Sequence, residues 1–205
     1  ISIRYHMGMN TTFGTPEHIA ELLVHVGRAA CSEDGPSDLT AAQWACLRFL
    51  ARANARTRTP SGFAAYQATT RGTASQIIKA LEGRGMIARH RAEDDGRSVR
   101  LELTEVGRTL VSRDPLDALI GVIATLPEVD QARFQRLLSR IASAVANLRQ
   151  SVAFGICLDC CHFTPADAGG TCACMAAQLG ANETIQLCGS YRSSPPTHGD
   201  HNDPA

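Results

Sequence analysis

The stretch Thr69-Thr70-Arg71-Gly72-Thr73-Ala74-Ser75-Gln76-Ile77-Ile78-Lys79-Ala80-Leu81-Glu82-Gly83 decides the fold. Ala74, Ile77, Ile78 and Leu81 recur at three- and four-residue steps, which predicts a helix from about Thr70 to Gly83 with these four as its inner stripe. Arg71, Thr73, Ser75, Gln76 and Lys79 are left on the outer face. Beyond Gly83 and Gly85 the apolar period drops to two. Ile87-Ala88-Arg89-His90-Arg91 and Val99-Arg100-Leu101-Glu102-Leu103 read as two strands joined by Glu93-Asp94-Asp95-Gly96-Arg97-Ser98, with Val99, Leu101 and Leu103 on one face. Thr104-Glu105 then restarts helix.

Upstream, Ile19, Leu22, Leu23, Val26 and Ala30 predict an amphipathic helix over residues 16–30, with Thr15 as cap and Pro16 in its first turn. The turn-rich run Glu33-Asp34-Gly35-Pro36-Ser37-Asp38 ends it. A second helix follows Thr40, carries Trp44, Leu47, Phe49 and Leu50, and is expected to end near Thr57. Thr59-Pro60-Ser61 opens a short helix through Phe63, Ala64, Ala65 and Tyr66. Downstream, Pro115 and Pro127 punctuate further helix. Phe134, Leu137, Leu138, Ile141, Val145 and Leu148 then form one continuous stripe within residues 130–151, a face that needs a neighbour to cover it.

Helix, helix, short helix, helix and hairpin is the order of a winged helix-turn-helix, so the expected class is mainly α with a small β-hairpin. Such a recognition helix needs a small-residue N-terminal turn that lets backbone amides near phosphate, and short polar or bidentate side chains that reach base edges. Thr70, Arg71, Thr73, Ser75, Gln76 and Lys79 supply them, and Arg89, Arg91, Arg97 and Arg100 on the hairpin could reach the adjacent backbone or minor groove. Taken alone, a charged hairpin reads as a solvated face. The helix order is what turns the reading toward DNA.

Charge points the same way. The chain has 205 residues and zero formal net charge. That zero combines two Arg against five acids in residues 1–39, thirteen cations against six acids in 40–113, and five Arg against nine acids in 114–205. A basic middle implies an anionic partner bound locally. Hydrophobic content of 44% with 20% charged residues rules out whole-chain disorder. The longest apolar stretches, such as Leu116 to Leu126, are too short to cross a bilayer. Ile1 to His6, preceding Met7, lack the basic and apolar regions of a secretory leader, so a cytoplasmic protein without a membrane partner is expected.

The linked motifs Thr70-Arg71-Gly72-Thr73-Ala74-Ser75-Gln76, Leu81-Glu82-Gly83-Arg84-Gly85-Met86-Ile87, Asp94-Asp95-Gly96-Arg97-Ser98-Val99 and Leu103-Thr104-Glu105-Val106-Gly107 resemble the MarR family of bacterial transcription regulators over residues 16–151. The resemblance implies a homodimer whose first and last helices interlock and whose two winged lobes read a palindromic site on double-stranded DNA. The wing of the family often reads Asp-Arg-Arg, and here Gly96 replaces the first Arg.

Six of the eight cysteines, Cys157, Cys160, Cys161, Cys172, Cys174 and Cys188, crowd into residues 157–188. Such clustering without a secretory leader favours metal binding or redox chemistry over a disulfide scaffold. Cys157-x2-Cys160 followed by Cys172 and Cys188 offers four thiolates, a set that suits tetrahedral Zn2+ or an iron–sulfur cluster equally. Cys174 could replace Cys172, His162 is a reserve ligand, and free or disulfide-bonded thiols are the competing reading. Phe163 and Leu187 could form a small apolar shell, with Gly169 and Gly170 making the loop flexible. Some regulators resembling the MarR family carry a similar Cys-x2-Cys-x2-Phe segment with two later cysteines, matched here by Cys157, Cys160, Phe163, Cys172 and Cys188. Cys31 and Cys46 read as small buried hydrophobes.

The expected organisation is a flexible N-terminus (1–15), a dimerisation helix (16–35), a winged-helix domain (36–113), dimerisation helices (114–152), a cysteine-rich metal-binding segment (153–189) and a disordered tail (190–205). The function expected is sequence-specific transcriptional regulation, with the four-cysteine centre sensing redox state or metal supply. Two alternatives stand beside it: a repressor answering a small-molecule effector over a purely structural zinc, and a redox or electron-transfer protein. No nucleophile elbow, P-loop or dinucleotide fingerprint suggests an enzyme.

Overall fold

The computed structural model describes residues 14–30, 38–91 and 99–193. In chain order these form α1 (Pro16–Ala29), α2 (Ala41–Arg52), α3 (Pro60–Tyr66), α4 (Arg71–Gly83), β1 (Ile87–Arg91), β2 (Val99–Leu103), α5 (Glu105–Val111), α6 (Asp117–Ala124) and α7 (Glu128–Leu148). A cysteine-bearing unit follows, with a 3-10 turn at Cys157–Asp159, then β3 (Phe163–Ala166), β4 (Gly169–Cys172), β5 (Ala177–Gly180) and α8 (Ala181–Thr184).

Threonine sets where the first five helices begin. Thr15, Thr40, Thr59, Thr70 and Thr104 each accept, through the side-chain hydroxyl, a backbone N–H three residues on, which satisfies a donor the helix cannot. Each such cap contributes about 1 kcal/mol. Between α2 and β2 lies the main core: Trp44, Leu47, Phe49, Leu50, Phe63, Ile78, Leu81 and Leu101 are all buried. Cys46 joins them as a small hydrophobe, and burial raises its thiol to about 12. Strands β1 and β2 pair antiparallel with Arg89 opposite Leu101 and Arg91 opposite Val99. This is a winged helix. The hairpin tip at residues 92–98, with Arg97, and also Cys31 lie outside the described residues.

Arg48 enters the core from α2. Its guanidinium grips Asp114 through Nε and Nη2 at 2.6–2.9 Å and lies 5.8 Å from the Trp44 ring centre. Burial alone would raise the Asp114 carboxyl. The Arg48 bond, the Leu116 N–H and the charges of Arg48 and Arg52 overcome it and hold the group below its ordinary range.

Four sequence expectations need correction. The second helix ends at Arg52, not near Thr57, because Ala53 turns extended and pairs in parallel with Leu187. Residues 163–180 form a three-stranded antiparallel sheet, β3-β4-β5, instead of a flexible loop. Gly169 (φ +140°) and Gly170 serve close packing: a Cβ would strike the Leu179 carbonyl at the first, and the Thr164 carbonyl and Phe163 ring at the second. Phe163 does pack on the small core of Cys157, Cys172 and Leu179, but Leu187 packs on the lobe. The tail does not begin at 190, since Tyr191 is buried, Arg192 accepts the Cys161 N–H and Ser193 pairs with Cys160. Residues 194–205 lie outside the described part.

Candidate nucleic-acid interface and cysteine cluster

Helix α4 is positioned by its inner stripe. Ala74, Ile78 and Leu81 are buried and Ile77 is half-buried. A period of 3.6 then puts Thr70, Arg71, Thr73, Ser75, Gln76 and Lys79 outside, and all six are exposed. Thr70 is the cap: its Oγ1 accepts the Thr73 N–H at 3.1 Å and lies 3.0 Å from the Thr73 hydroxyl, so these two fix the first turn. Arg71, Ser75, Gln76 and Lys79 form no hydrogen bond or ion pair among the described residues. This face offers donors and acceptors on a rigid rod of 13 residues, the geometry that major-groove readout needs.

The hairpin cations divide by partner. Arg89 donates Nε to Glu82 at 2.9 Å, and Arg100, half-buried, donates to the Arg56 carbonyl at 2.6 Å, so both help hold the lobe together. Arg91 is exposed next to the tip and pairs with no acid among the described residues. Sequence periodicity cannot make this distinction, because an ion pair to α4 and a bond to a distant carbonyl depend on the folded register. Elsewhere in the basic middle, Arg58 donates to the Ala53 carbonyl, Arg84 to the Asp38 carbonyl, and Arg108 to Glu105 and the Leu103 carbonyl. With Arg48 neutralised by Asp114, the charge offered outward is smaller than the sequence count suggests.

The four thiols Cys157, Cys160, Cys172 and Cys188 line one small cavity with His162, Phe163 and Cys174. Cys157 and Cys172 are buried, Cys160 and Cys188 half-buried, and Cys161 and Cys174 exposed. All seven cysteines in the described residues are free thiols. Burial raises the Cys157 thiol to about 11, and the neighbouring Cys188, Cys172 and Cys160 and the Glu183 carboxylate push it the same way. In donor type and shared cavity this set suits Zn2+ or an iron–sulfur cluster. Among the described residues, however, no three such side chains converge closely enough to hold an ion as placed.

The cysteine-bearing unit touches two parts of the molecule that periodicity leaves apart. Leu187 donates its N–H to the Arg52 carbonyl at 2.8 Å and accepts from the Asn54 N–H at 3.0 Å, while Gly189 donates to Thr57 Oγ1 at 3.0 Å. Cys188 sits between these bonds and donates its own N–H to Gly155. On the other side Tyr191 hydrogen-bonds Ser143 of α7. The helices α1, α6 and α7 leave Ile19, Leu22, Val26, Ile120, Phe134, Leu137, Ile141 and Val145 exposed. No helix among the described residues is long and apolar enough to cross a membrane.

Comparison with known proteins gives one family match. Residues 37–98 fit the model of the MarR family. Solved structures similar to this chain include MepR of S. aureus in complex with DNA (20% identity, 64% of this chain and 98% of that one, TM-score 0.49). FabT of Streptococcus pneumoniae in complex with DNA shows 23% identity over 64% of this chain and 95% of that one, with a TM-score of 0.49. The PcaV regulator of Streptomyces coelicolor with its natural ligand shows 24% identity over 63% and 93%, again at 0.49. No curated protein matches.

Proposed function

We propose that this chain, whose residues 37–98 match the model of the MarR family, is a DNA-binding transcriptional regulator that reads a palindromic site as a homodimer. The observation that carries the reading is the outer face of α4, where Arg71, Ser75 and Gln76 stand exposed and without partners among the described residues beside a basic hairpin. Binding rather than catalysis is the activity of such a lobe. Arg71 and Gln76 suit guanine and adenine edges, Thr70 and Thr73 order the helix start near phosphate, and Lys79 and Arg91 add charge along the backbone.

The homodimer is supported by the uncovered apolar faces of α1 and α7. Ile19, Leu22 and Val26 on one, and Phe134, Leu137, Ile141 and Val145 on the other, together exceed what scattered surface hydrophobics account for. A second copy of the chain covers both by symmetry. The metal is likewise a proposal: Cys157, Cys160, Cys172 and Cys188 would hold Zn2+ or an iron–sulfur cluster, which would tie the 3-10 turn, β4 and the Leu187 bridge to one point. Because that bridge ends on the turn between α2 and α3, and Tyr191 ends on α7, metal loading would bear on how each lobe sits against the dimer helices.

Selection of bound duplexes from a random pool tests the DNA reading. The parent protein should enrich a palindrome. Gln76→Ala should relax one base pair per half-site at a cost of roughly 1–3 kcal/mol. Unchanged preference in the variant would remove α4 from direct readout.

A further inference from the structure

We propose that Tyr191 sets the spacing between the two DNA half-sites that the dimer accepts, by pinning the cysteine-bearing unit to α7. It is a positioning residue, acting on DNA through the lobe. The role presupposes the palindrome-reading homodimer proposed above.

The two ends of the unit are held differently. Toward the lobe the hold is repeated and runs mostly through backbone. The Leu187 N–H donates to the Arg52 carbonyl at 2.8 Å, its carbonyl accepts from the Asn54 N–H at 3.0 Å, and the Gly189 N–H donates to Thr57 Oγ1 at 3.0 Å. Toward α7 the hold is carried by a side chain, where Tyr191 hydrogen-bonds Ser143. Of the 21 residues of α7, Ser143 and Ala146 alone are buried, so this contact is where the helix is covered within its own chain. A turn of 3.6 residues puts Ser143 nearly opposite Phe134, Ile141 and Val145. The unit thus takes one face of α7 and leaves the apolar face to the partner chain.

Tyr191 is itself firmly placed. Gly155 makes room for it: a Cβ there would stand 2.6–2.8 Å from three atoms of the Tyr191 ring, so the missing side chain lets the ring lie against the backbone. The chain is tied on both sides, Gly189 to Thr57 before it, and after it the Arg192 carbonyl to the Cys161 N–H at 2.9 Å, with Ser193 bridging Cys160. Tyr191 and Ser143 are both more than nine-tenths buried, and a buried hydroxyl that loses its partner does not regain water. A strut that is stiff at the lobe and pinned on α7 fixes the angle between them. Two-fold symmetry repeats that angle in the partner, and the angle decides how far apart the two α4 helices lie. Half-site spacing follows from that separation.

Anisotropy titrations of the full chain test this, using the selected palindrome and duplexes with one base pair more or fewer between the half-sites. The parent should discriminate against both altered spacings. Tyr191→Phe, which keeps the ring against Gly155, and Ser143→Ala, which suits a helix, should each shrink that discrimination about two- to tenfold, the range that one hydrogen bond supports. The double variant should shrink it no further than either alone, because both remove the same bond. Base preference within each half-site should stay as in the parent, since α4 is untouched. Discrimination unchanged in both single variants would overturn the proposal, even if affinity fell equally at every spacing, because such a fall marks a residue that only stabilises the fold. A parent indifferent to spacing would overturn the homodimer reading and this role with it. Spacing preference in the parent that survives intact in the variants would overturn the role of Tyr191 alone.

Discussion

Leu187 and Ala53 lie 134 positions apart in the chain and pair backbone to backbone, where the cysteine-bearing unit meets the end of α2. That bridge supplies the acceptor for the Asn54 N–H and a donor for the Arg52 carbonyl, where the backbone turns extended. The pairing puts Cys188 one residue from the lobe's own turn. Were the thiols to hold a metal, its loss would be felt first at residues 53–59, which lead into α3 and, through it, into α4.

The Arg48–Asp114 pair joins α2 to the segment that leads from α5 into α6, and both side chains are at least nine-tenths buried. Asp114→Ala would leave the guanidinium buried without this carboxylate and should destabilise the fold by about 3–5 kcal/mol in urea unfolding. The folded-state carboxyl titrates below its ordinary range, so the stabilisation is present in full above the unfolded-state value and is lost as pH falls through the lowered one. An acid limb of stability as steep in Asp114→Asn as in the parent would show that another carboxylate sets it.

Much of the lobe is legible in the sequence because its signals are local. A threonine cap three residues before its amide partner, an apolar step of three or four, and a switch to period two need nothing beyond a short window, and α1, α3, α4 and the hairpin appear where those signals put them. The Arg48–Asp114 pair spans 66 residues, and no window shows that one of thirteen cations is buried rather than offered to DNA. The same holds for Leu187, whose apolar side chain marks it as core but cannot say which core. Gly169 and Gly170 read as looseness because only the folded sheet brings the Leu179 and Thr164 carbonyls to where a Cβ would stand.

Wing cations should separate by their folded partners. Arg91→Ala and Arg97→Ala should each lower affinity for all duplexes and reduce the salt slope by about one unit, because each would neutralise a phosphate. Arg89→Ala, whose guanidinium is already committed to Glu82, should change the slope less. Anisotropy titrations across a salt series check this, and identical slopes for Arg91→Ala and parent would place Arg91 in solvent.

The proposed homodimer rests on the α7 stripe. Leu137 is 47% exposed in the single chain, so an acid there costs the isolated protomer little. In a dimer the same acid would be buried unpaired, and Leu137→Asp should convert a dimeric parent into a monomer in analytical ultracentrifugation. A parent protein that is a folded monomer at micromolar concentration would contradict the homodimer.

The most direct test of the link between the cysteine-bearing unit and DNA is a titration of the selected duplex into metal-replete and chelator-stripped protein at one salt concentration. Metal content is assayed on the same samples. Bound metal, lost in Cys188→Ser, is expected, with an operator affinity that differs between the two states by about 5- to 150-fold. Equal affinities, or a native protein that carries no metal and binds DNA unchanged, would contradict it.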